Sequence, residues 1–179
     1  MHIILTGHRR VGKTTLCRRL TDELRRVGYR IGGVLTETQA DEKGRTLVVH
    51  DLAAGSSAPL ASTLWGGPGQ TQGPFTFSDD ALYKAIKAIG LGMSADLLVI
   101  DEIGPLEMKR QGFFPILHIV RRSRNSLLVV RPELAEQAKA WLRLGDDCET
   151  VVVTYENREQ LFPDLLNRLN LALKVERLN

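Results

Sequence analysis

Eight consecutive residues near the start of the chain have the types and spacing of a phosphate-binding loop. They are Gly7, His8, Arg9, Arg10, Val11, Gly12, Lys13 and Thr14. The two glycines permit backbone angles that a side chain would obstruct, so backbone N–H groups can surround a phosphate. The Lys13 ammonium would reach the β- and γ-phosphates of a nucleotide, and the Thr14 hydroxyl would hold Mg²⁺. The segment therefore predicts that a nucleoside triphosphate binds here.

The elements on either side of this loop are those that would position it. Residues 1–6 form an apolar run typical of a buried strand, and leucines 16, 20 and 24 have helical spacing. Strand, loop and helix in that order place the loop at the positive end of a helix dipole, where anions bind. We therefore add Thr15, the first residue after the loop, to the predicted nucleotide site.

A second segment supplies acidic residues. Residues 96–101 form an apolar run that closes on Asp101, and Glu102 follows. Strands of this kind deliver a carboxylate to the magnesium shell in phosphoryl transfer. We expect Asp101 to hold Mg²⁺ together with Thr14, and Glu102 to orient or deprotonate the attacking water. Lys13 and Glu102 are thus the predicted catalytic residues.

Two further carboxylates compete with Glu102 for the role of base. Glu37 ends the predicted second strand and could reach the attacking water. Glu107 follows a proline, so it either stabilises the start of a helical turn through the dipole or lies near the phosphates as another acid. The sequence leaves this choice open.

Three arginines are candidates for contact with the nucleotide. Arg9 and Arg10 either neutralise charge in the transition state, as an internal arginine finger, or are exposed loop side chains. Arg158 is free to stack on a base or hydrogen-bond to it. Asn157, beside it, is predicted to form a helix-capping pair with Gln160.

Alternation of apolar strands and helices predicts an α/β fold, a mostly parallel sheet with helices on both faces, in a single domain over residues 1–179. Strands are predicted over 29–36 and 45–52, as an inserted β-hairpin, and over 75–77, 126–131 and 149–154. Helices are predicted over 79–88, with Asp79 as N-cap, and over 113–124, 133–144 and 157–173. Residues 53–74, rich in Gly and Pro, are predicted to be a long irregular and mobile segment.

Ligands in such sheets bind beyond the carboxyl ends of the strands. The residues predicted to mark that edge are Thr6, Thr36, Asp101, Arg131 and Thr154. The sequence therefore brings the loop and the acidic segment to one side of the fold.

Composition sets the broad class of protein. The net charge is +3, and most of the paired arginines alternate with acids on predicted helices, so we expect solvated helix faces and no nucleic-acid partner. No apolar run reaches the roughly 20 residues needed to span a bilayer, and we expect no membrane partner. Cys17 and Cys148 lie far apart without metal-ligand spacing, which favours a cytoplasmic protein. We favour a monomer.

With both motifs in place, the chain resembles the small P-loop nucleoside-triphosphatase family typified by thermophile enzymes. Residues 33–37, Gly-Val-Leu-Thr-Glu, are similar to a strand end of that family, and Thr154, Asn157 and Arg158 are similar to its closing motif. The most specific similarity lies in a segment that the resemblance adds to the nucleotide site: Ile100, Asp101, Glu102, Ile103, Gly104, Pro105, Leu106 and Glu107. The resemblance implies Mg²⁺-dependent hydrolysis of ATP, GTP, CTP and UTP to diphosphate and phosphate, with broad base tolerance and slow turnover.

The chain departs from the family at several positions. His8, Arg9 and Arg10 replace smaller residues or a proline in the loop, and Arg131 with Pro132 replaces a Thr-Val type of sequence after the fourth apolar strand. A tyrosine expected after Gly69 is missing. These departures concern substrate preference and rate more than the fold.

Two other functions use the same motifs. A nucleotide or small-molecule kinase usually has an arginine-rich lid, whereas residues 53–74 contain no Lys or Arg. A nucleotide-binding switch or adaptor would bind tightly and hydrolyse slowly. Residues 101–104 also fit the Asp-x-x-Gly pattern of GTPases, but the sequence has no Asn-Lys-x-Asp guanine selector, so we do not expect a dedicated guanine switch.

Overall fold

The computed structural model describes residues 1–145 and 147–177, and in it nine strands form one sheet. The strands are β1 (His2–Thr6), β2 (Ile31–Ala40), β3 (Arg45–Asp51), β4 (Ser57–Ser62), β5 (Thr71–Gln72), β6 (Phe75–Phe77), β7 (Leu97–Ile103), β8 (Ser126–Val130) and β9 (Cys148–Val152). The helices are α1 (Lys13–Arg26), α2 (Asp79–Gly92), α3 (Pro105–Met108), α4 (Phe114–Leu117), α5 (Ala135–Leu142) and α6 (Arg158–Arg177). Among the described residues, no helix is long and apolar enough to cross a membrane.

The order of strands across the sheet is β5-β6-β4-β3-β2-β7-β8-β1-β9. Strands β2, β7, β8, β1 and β9 are parallel to their neighbours in this half of the sheet. Strand β8 lies between β1, which leads into the phosphate loop, and β7, which carries the acidic residues. The parallel α/β sheet predicted from the apolar runs is confirmed.

Alternate residues of the central strands enter two separate cores. Ile3 and Leu5 of β1 pack with apolar residues of α1 and α6, whereas Ile4 packs on the opposite face with residues of α2 and α5. Burial on both faces explains why these strands are apolar throughout their length. The two layers of helices hold the central strands, and so fix the positions of the loops at their carboxyl ends.

The other half of the sheet is antiparallel. β2 and β3 form the predicted hairpin, with Thr36 opposite Val49, and β4 pairs with β3. The short strands β6 and β5 extend this half to the edge, so the strand predicted over 75–77 is confirmed.

The prediction of an irregular segment over residues 53–74 is wrong in part, because β4 and β5 lie within it. The register between β3 and β4 shifts near Pro59, since Leu47 faces Ala61 while Val48 faces Pro59. Proline is tolerated in a strand at such a bulge. Leu60 and Ala61 are buried, so packing of the strand outweighs the turn-forming composition.

Several predicted helices differ from the observed ones. Helix α2 extends beyond residue 88, and its N-cap is Ser78, whose hydroxyl accepts a hydrogen bond from the Ala81 N–H, instead of Asp79. Within 113–124, α4 is only four residues long, and a 3₁₀ turn, Val120–Arg122, follows it. Residues 133–144 divide into a 3₁₀ turn, Pro132–Leu134, and α5, which ends where Arg143 takes a positive φ of 49°. The helix predicted over 157–173 is α6 and continues to residue 177.

Candidate active site

The loop between β1 and α1 has the backbone that its two glycines predict. Gly12 has a φ of 102° and caps the start of α1. Gly7 has a φ of 143°, and a Cβ there would lie 2.2 Å from the carbonyl oxygen of Val153, which follows β9. A side chain at Gly7 would therefore push the loop away from the sheet. Both glycines are required by the shape of the loop.

Lys13 is buried within this loop. Its Nζ donates hydrogen bonds to the carbonyl oxygens of Gly7, at 2.7 Å, and His8, at 2.8 Å. Burial lowers the pKa of Lys13, and the negative charges of Glu102 and Asp101 partly oppose that effect. The ammonium group is thus held inside the loop, where it can exchange carbonyl oxygens for phosphate oxygens.

Asp101 lies near the carboxyl end of β7, 1% exposed. Burial raises the pKa of Asp101 to about 7, against a smaller opposing effect of hydrogen bonding from Thr14. The Thr36 hydroxyl donates to the main-chain carbonyl of Asp101 at 2.6 Å and fixes the strand end. Among the described residues, the Oδ2 atom of Asp101 is buried without a hydrogen-bond partner.

The side chains of Thr14 and Asp101 fit a magnesium ion. A buried carboxylate oxygen without a partner is costly, and a hard cation would satisfy it. The Thr14 hydroxyl beside it is the second oxygen that such an ion needs from the protein, since Mg²⁺ takes most of its ligands from water and phosphate. Thr14 and Asp101 come together as the sequence predicts.

Glu102 is bound by an arginine from the neighbouring strand. Arg131 Nε donates to Glu102 Oε1 at 2.7 Å, with the two side chains 19% and 30% exposed. The register between β7 and β8 shifts between Asp101 and Ile103, so Glu102 is the extra residue of this bulge. Sequence reasoning placed Arg131 at this edge of the sheet but gave it no role. The signal available was its departure from the family sequence at that position.

The two competing carboxylates have other partners. Glu107 is 3% exposed, and its oxygens accept hydrogen bonds from the N–H groups of Gly104, at 2.7 Å, and Phe113, at 2.8 Å. Burial raises the pKa of Glu107 to about 7. Its contacts support the structural alternative, because they tie down the chain on both sides of α3. Glu37 forms an ion pair with Arg18 Nη2 at 2.6 Å, and its Oε2 lies 3.3 Å from His50 Nε2.

The remaining loop residues divide by exposure. His8, Arg9 and Arg10 are exposed, whereas Val11 packs in the core beside α1. Thr15 is exposed on the first turn of α1.

Several residues of the acidic segment, residues 100–107, are buried. Ile100 and Ile103 are buried in the apolar core, so a nucleotide could meet only their main chain. Leu106 is also buried, while Pro105 begins α3 after Gly104.

Arg158 lies against the phosphate loop. Its Nη1 and Cδ atoms are each 3.5 Å from the position that a Cβ on Gly12 would take, and its guanidinium carbon is 5.5 Å from the ring centroid of Tyr155. The exposed Tyr155 was not a predicted site residue. Asn157 hydrogen-bonds to Thr154 N and Val152 O, so it fixes the turn before α6 in place of the predicted capping pair with Gln160.

Comparison with known proteins identifies the family of this chain. A protein-family model described as NTPase matches residues 2–166. The chain belongs to this NTPase family.

Relatives of this NTPase are similar along almost their whole length. The nucleoside-triphosphatase THEP1 of Pyrococcus abyssi is 33% identical over an aligned length of 177 residues, and the alignment covers 97% of this chain and 94% of the relative. The protein of the same name from Methanocaldococcus jannaschii is 31% identical and is covered completely. The solution structure of a human cancer-related nucleoside triphosphatase has a TM-score of 0.71 at 26% identity, covering 94% of this chain and 96% of that one. The expected family and fold are therefore confirmed, and the chain is an enzyme of the NTPase family.

Proposed function

We propose that this NTPase hydrolyses nucleoside triphosphates to diphosphate and phosphate in a magnesium-dependent reaction with broad base tolerance. One observation carries the proposal: three chemically different groups meet at the carboxyl ends of β1 and β7. These are the Lys13 ammonium inside the loop, the buried and unsatisfied Asp101 oxygen beside Thr14, and the partly exposed Glu102 carboxylate.

The loop supplies binding and orientation. Its backbone N–H groups at the start of α1 face the phosphates, and Lys13 gives up its bonds to Gly7 and His8 for bonds to the β- and γ-phosphates. Thr14 and Asp101 would hold Mg²⁺, which supplies neutralisation of charge on the β- and γ-phosphate oxygens when bound. The burial of Lys13 and Asp101 keeps bulk water away from these groups, which strengthens their electrostatic effect.

Glu102 is the group assigned to the attacking water. Its carboxylate is partly exposed, so water can reach it, and it is adjacent in sequence to Asp101. It would accept the proton of the water as the oxygen attacks the γ-phosphorus and the β–γ bridging oxygen leaves with the diphosphate. Glu107 is less suited, because backbone N–H groups occupy both of its oxygens.

The side chains near the loop support the proposal of broad base tolerance. Arg158 and the exposed ring of Tyr155 offer flat surfaces for stacking, and every base has a π-face that can stack. Stacking discriminates among bases less than hydrogen bonds to base edges do. We therefore expect rates for ATP, GTP, CTP and UTP within about tenfold of one another, a spread of about 1.4 kcal/mol.

Phosphate release from each of the four nucleotides, with and without Mg²⁺ and with candidate acceptors added, tests the proposal. Release from all four that stops with a chelator supports it. Transfer to an acceptor without free phosphate would show a kinase. Tight binding with release only after a partner is added would show a switch. A preference above a hundredfold for one base would contradict broad tolerance.

A further inference from the structure

Arg131 reaches the site through the order of the strands. It is the first residue after β8, and β8 is paired with β1 on one side and β7 on the other. Arg131 therefore leaves the sheet between the phosphate loop and Glu102. Its guanidinium lies close enough to Lys13 to act on it electrostatically.

The contact between Arg131 and Glu102 has the geometry of a strong hydrogen bond. A guanidinium N–H to carboxylate distance of 2.7 Å lies at the short end of the range for charged pairs. Both side chains are more than half buried, so solvent screens the pair less than it screens a surface ion pair. The pair can therefore restrict the rotamers of Glu102.

Gly104 leaves room for this pair. A Cβ on Gly104 would lie 3.3 Å from Arg131 Nε and 3.7 Å from Glu102 Oε1. A side chain at this position would crowd Arg131 Nε and would lie at ordinary contact distance from Glu102 Oε1. The glycine thus leaves the space beside Arg131 free.

From these contacts we infer that Arg131 is a positioning residue, which holds the Glu102 carboxylate in the orientation that proton transfer from water requires. The inference rests on the proposed hydrolytic function. A base must be held in a narrow geometry, and a misplacement of about 1 Å can cost a hundredfold in rate. Arg131 acts through Glu102, so it affects the chemical step and leaves nucleotide binding nearly unchanged.

A double-mutant cycle on purified protein tests this inference. Arg131→Met keeps the aliphatic stem and removes the guanidinium. We expect it to lower kcat about ten- to a hundredfold with KM within about threefold of the wild type. In the Glu102→Gln background, where the base is absent, Arg131→Met should change kcat less than about threefold. Arg131→Lys restores the charge without the fork geometry, so it should recover only part of the loss.

Arg30→Ala is the matched control. Arg30 pairs with Asp96, with Nη2 and Oδ1 3.2 Å apart. Asp96 precedes β7, so this pair lies at the amino end of the strand that carries Glu102 at its carboxyl end. We expect its kcat and KM to match those of the wild type. Thermal melting of each variant shows whether a loss of rate reflects unfolding, and if Arg131→Met does not fold, the cycle is carried out with Arg131→Lys.

Three results would overturn the inference: a wild-type kcat in Arg131→Met, a raised KM at unchanged kcat, or an equal loss of rate in the Glu102→Gln background. The last would show that Arg131 acts on the nucleotide directly. These results all require an active wild-type enzyme. A wild-type protein that releases no phosphate would instead refute the proposed function.

Discussion

Replacing Glu102 by glutamine removes a base while keeping the contacts that hold the side chain. Glutamine has the length of glutamate, and its Oε1 can still accept the hydrogen bond from Arg131 Nε. Its amide cannot accept the proton of the attacking water. Ground-state binding should therefore survive, while the transition state loses its proton acceptor.

The expected effect of Glu102→Gln on stability is much smaller than its expected effect on turnover. The ion pair becomes a hydrogen bond between the charged Arg131 guanidinium and a neutral amide oxygen, which is weaker, so we expect a loss of about 1 kcal/mol in the free energy of unfolding. Loss of a positioned general base lowers turnover by about 10² to 10⁴, which is about 3 to 5 kcal/mol in the barrier. The kinetic effect is several times larger than the effect on stability, so partial unfolding cannot produce it.

Single-turnover hydrolysis of pre-bound ATP measures this step directly. Glu37→Gln is the matched control, since the Glu37 carboxylate lies within β2 beside Arg18 and His50. We expect Glu102→Gln to lose turnover and Glu37→Gln to retain it, with ATP affinity near the wild-type value in both. Near-normal turnover in Glu102→Gln together with a collapse in Glu37→Gln would move the base to Glu37.

The remaining predictions concern binding, the metal and stability. Lys13→Ala should abolish phosphate release and weaken binding of a non-hydrolysable triphosphate, because it removes the cation held in the loop; wild-type release in this variant would refute the loop assignment. Asp101→Asn should raise the Mg²⁺ concentration needed for half-maximal activity, since the ion would lose its buried carboxylate, and an unchanged titration would exclude Asp101 from the metal shell. The pKa of Glu107 rises on folding from 4.5 to about 7, so the folded state binds more protons in that window, and the free energy of unfolding should fall by about 3 kcal/mol as the pH rises through it. Denaturant titrations of wild type and Glu107→Gln across this range check the sign, and a difference between the two that does not change with pH would contradict it.

Local motifs were predicted from sequence because their residues are neighbours in the chain. The phosphate loop, the strand before it and the helix after it are contiguous, and the apolar run that ends on Asp101 forms most of β7. Continuous apolar runs also gave the parallel half of the sheet, since strands buried on both faces must be apolar throughout.

Composition failed where packing decided the structure. Residues 53–74 have the Gly and Pro content of a loop, yet β4 forms there because Leu60 and Ala61 are buried and Pro59 falls at a bulge. The helix predicted over 113–124 broke into short turns for which helical spacing alone gave no signal.

The sequence by itself determined which residues we assign to phosphate, metal and water: Lys13, Thr14, Asp101 and Glu102 are identified by their immediate neighbours. Only the tertiary structure decided how deeply each carboxylate is buried and which groups hold it. Glu102 and Arg131 are 29 residues apart and meet because β8 pairs beside β7. Glu107 is buried and both of its oxygens accept hydrogen bonds from backbone N–H groups. We therefore do not assign it as the base, although its sequence context resembles that of an active-site acid. Chain neighbours fix the chemistry of a motif, whereas strand order and burial depend on long-range packing that no local pattern records.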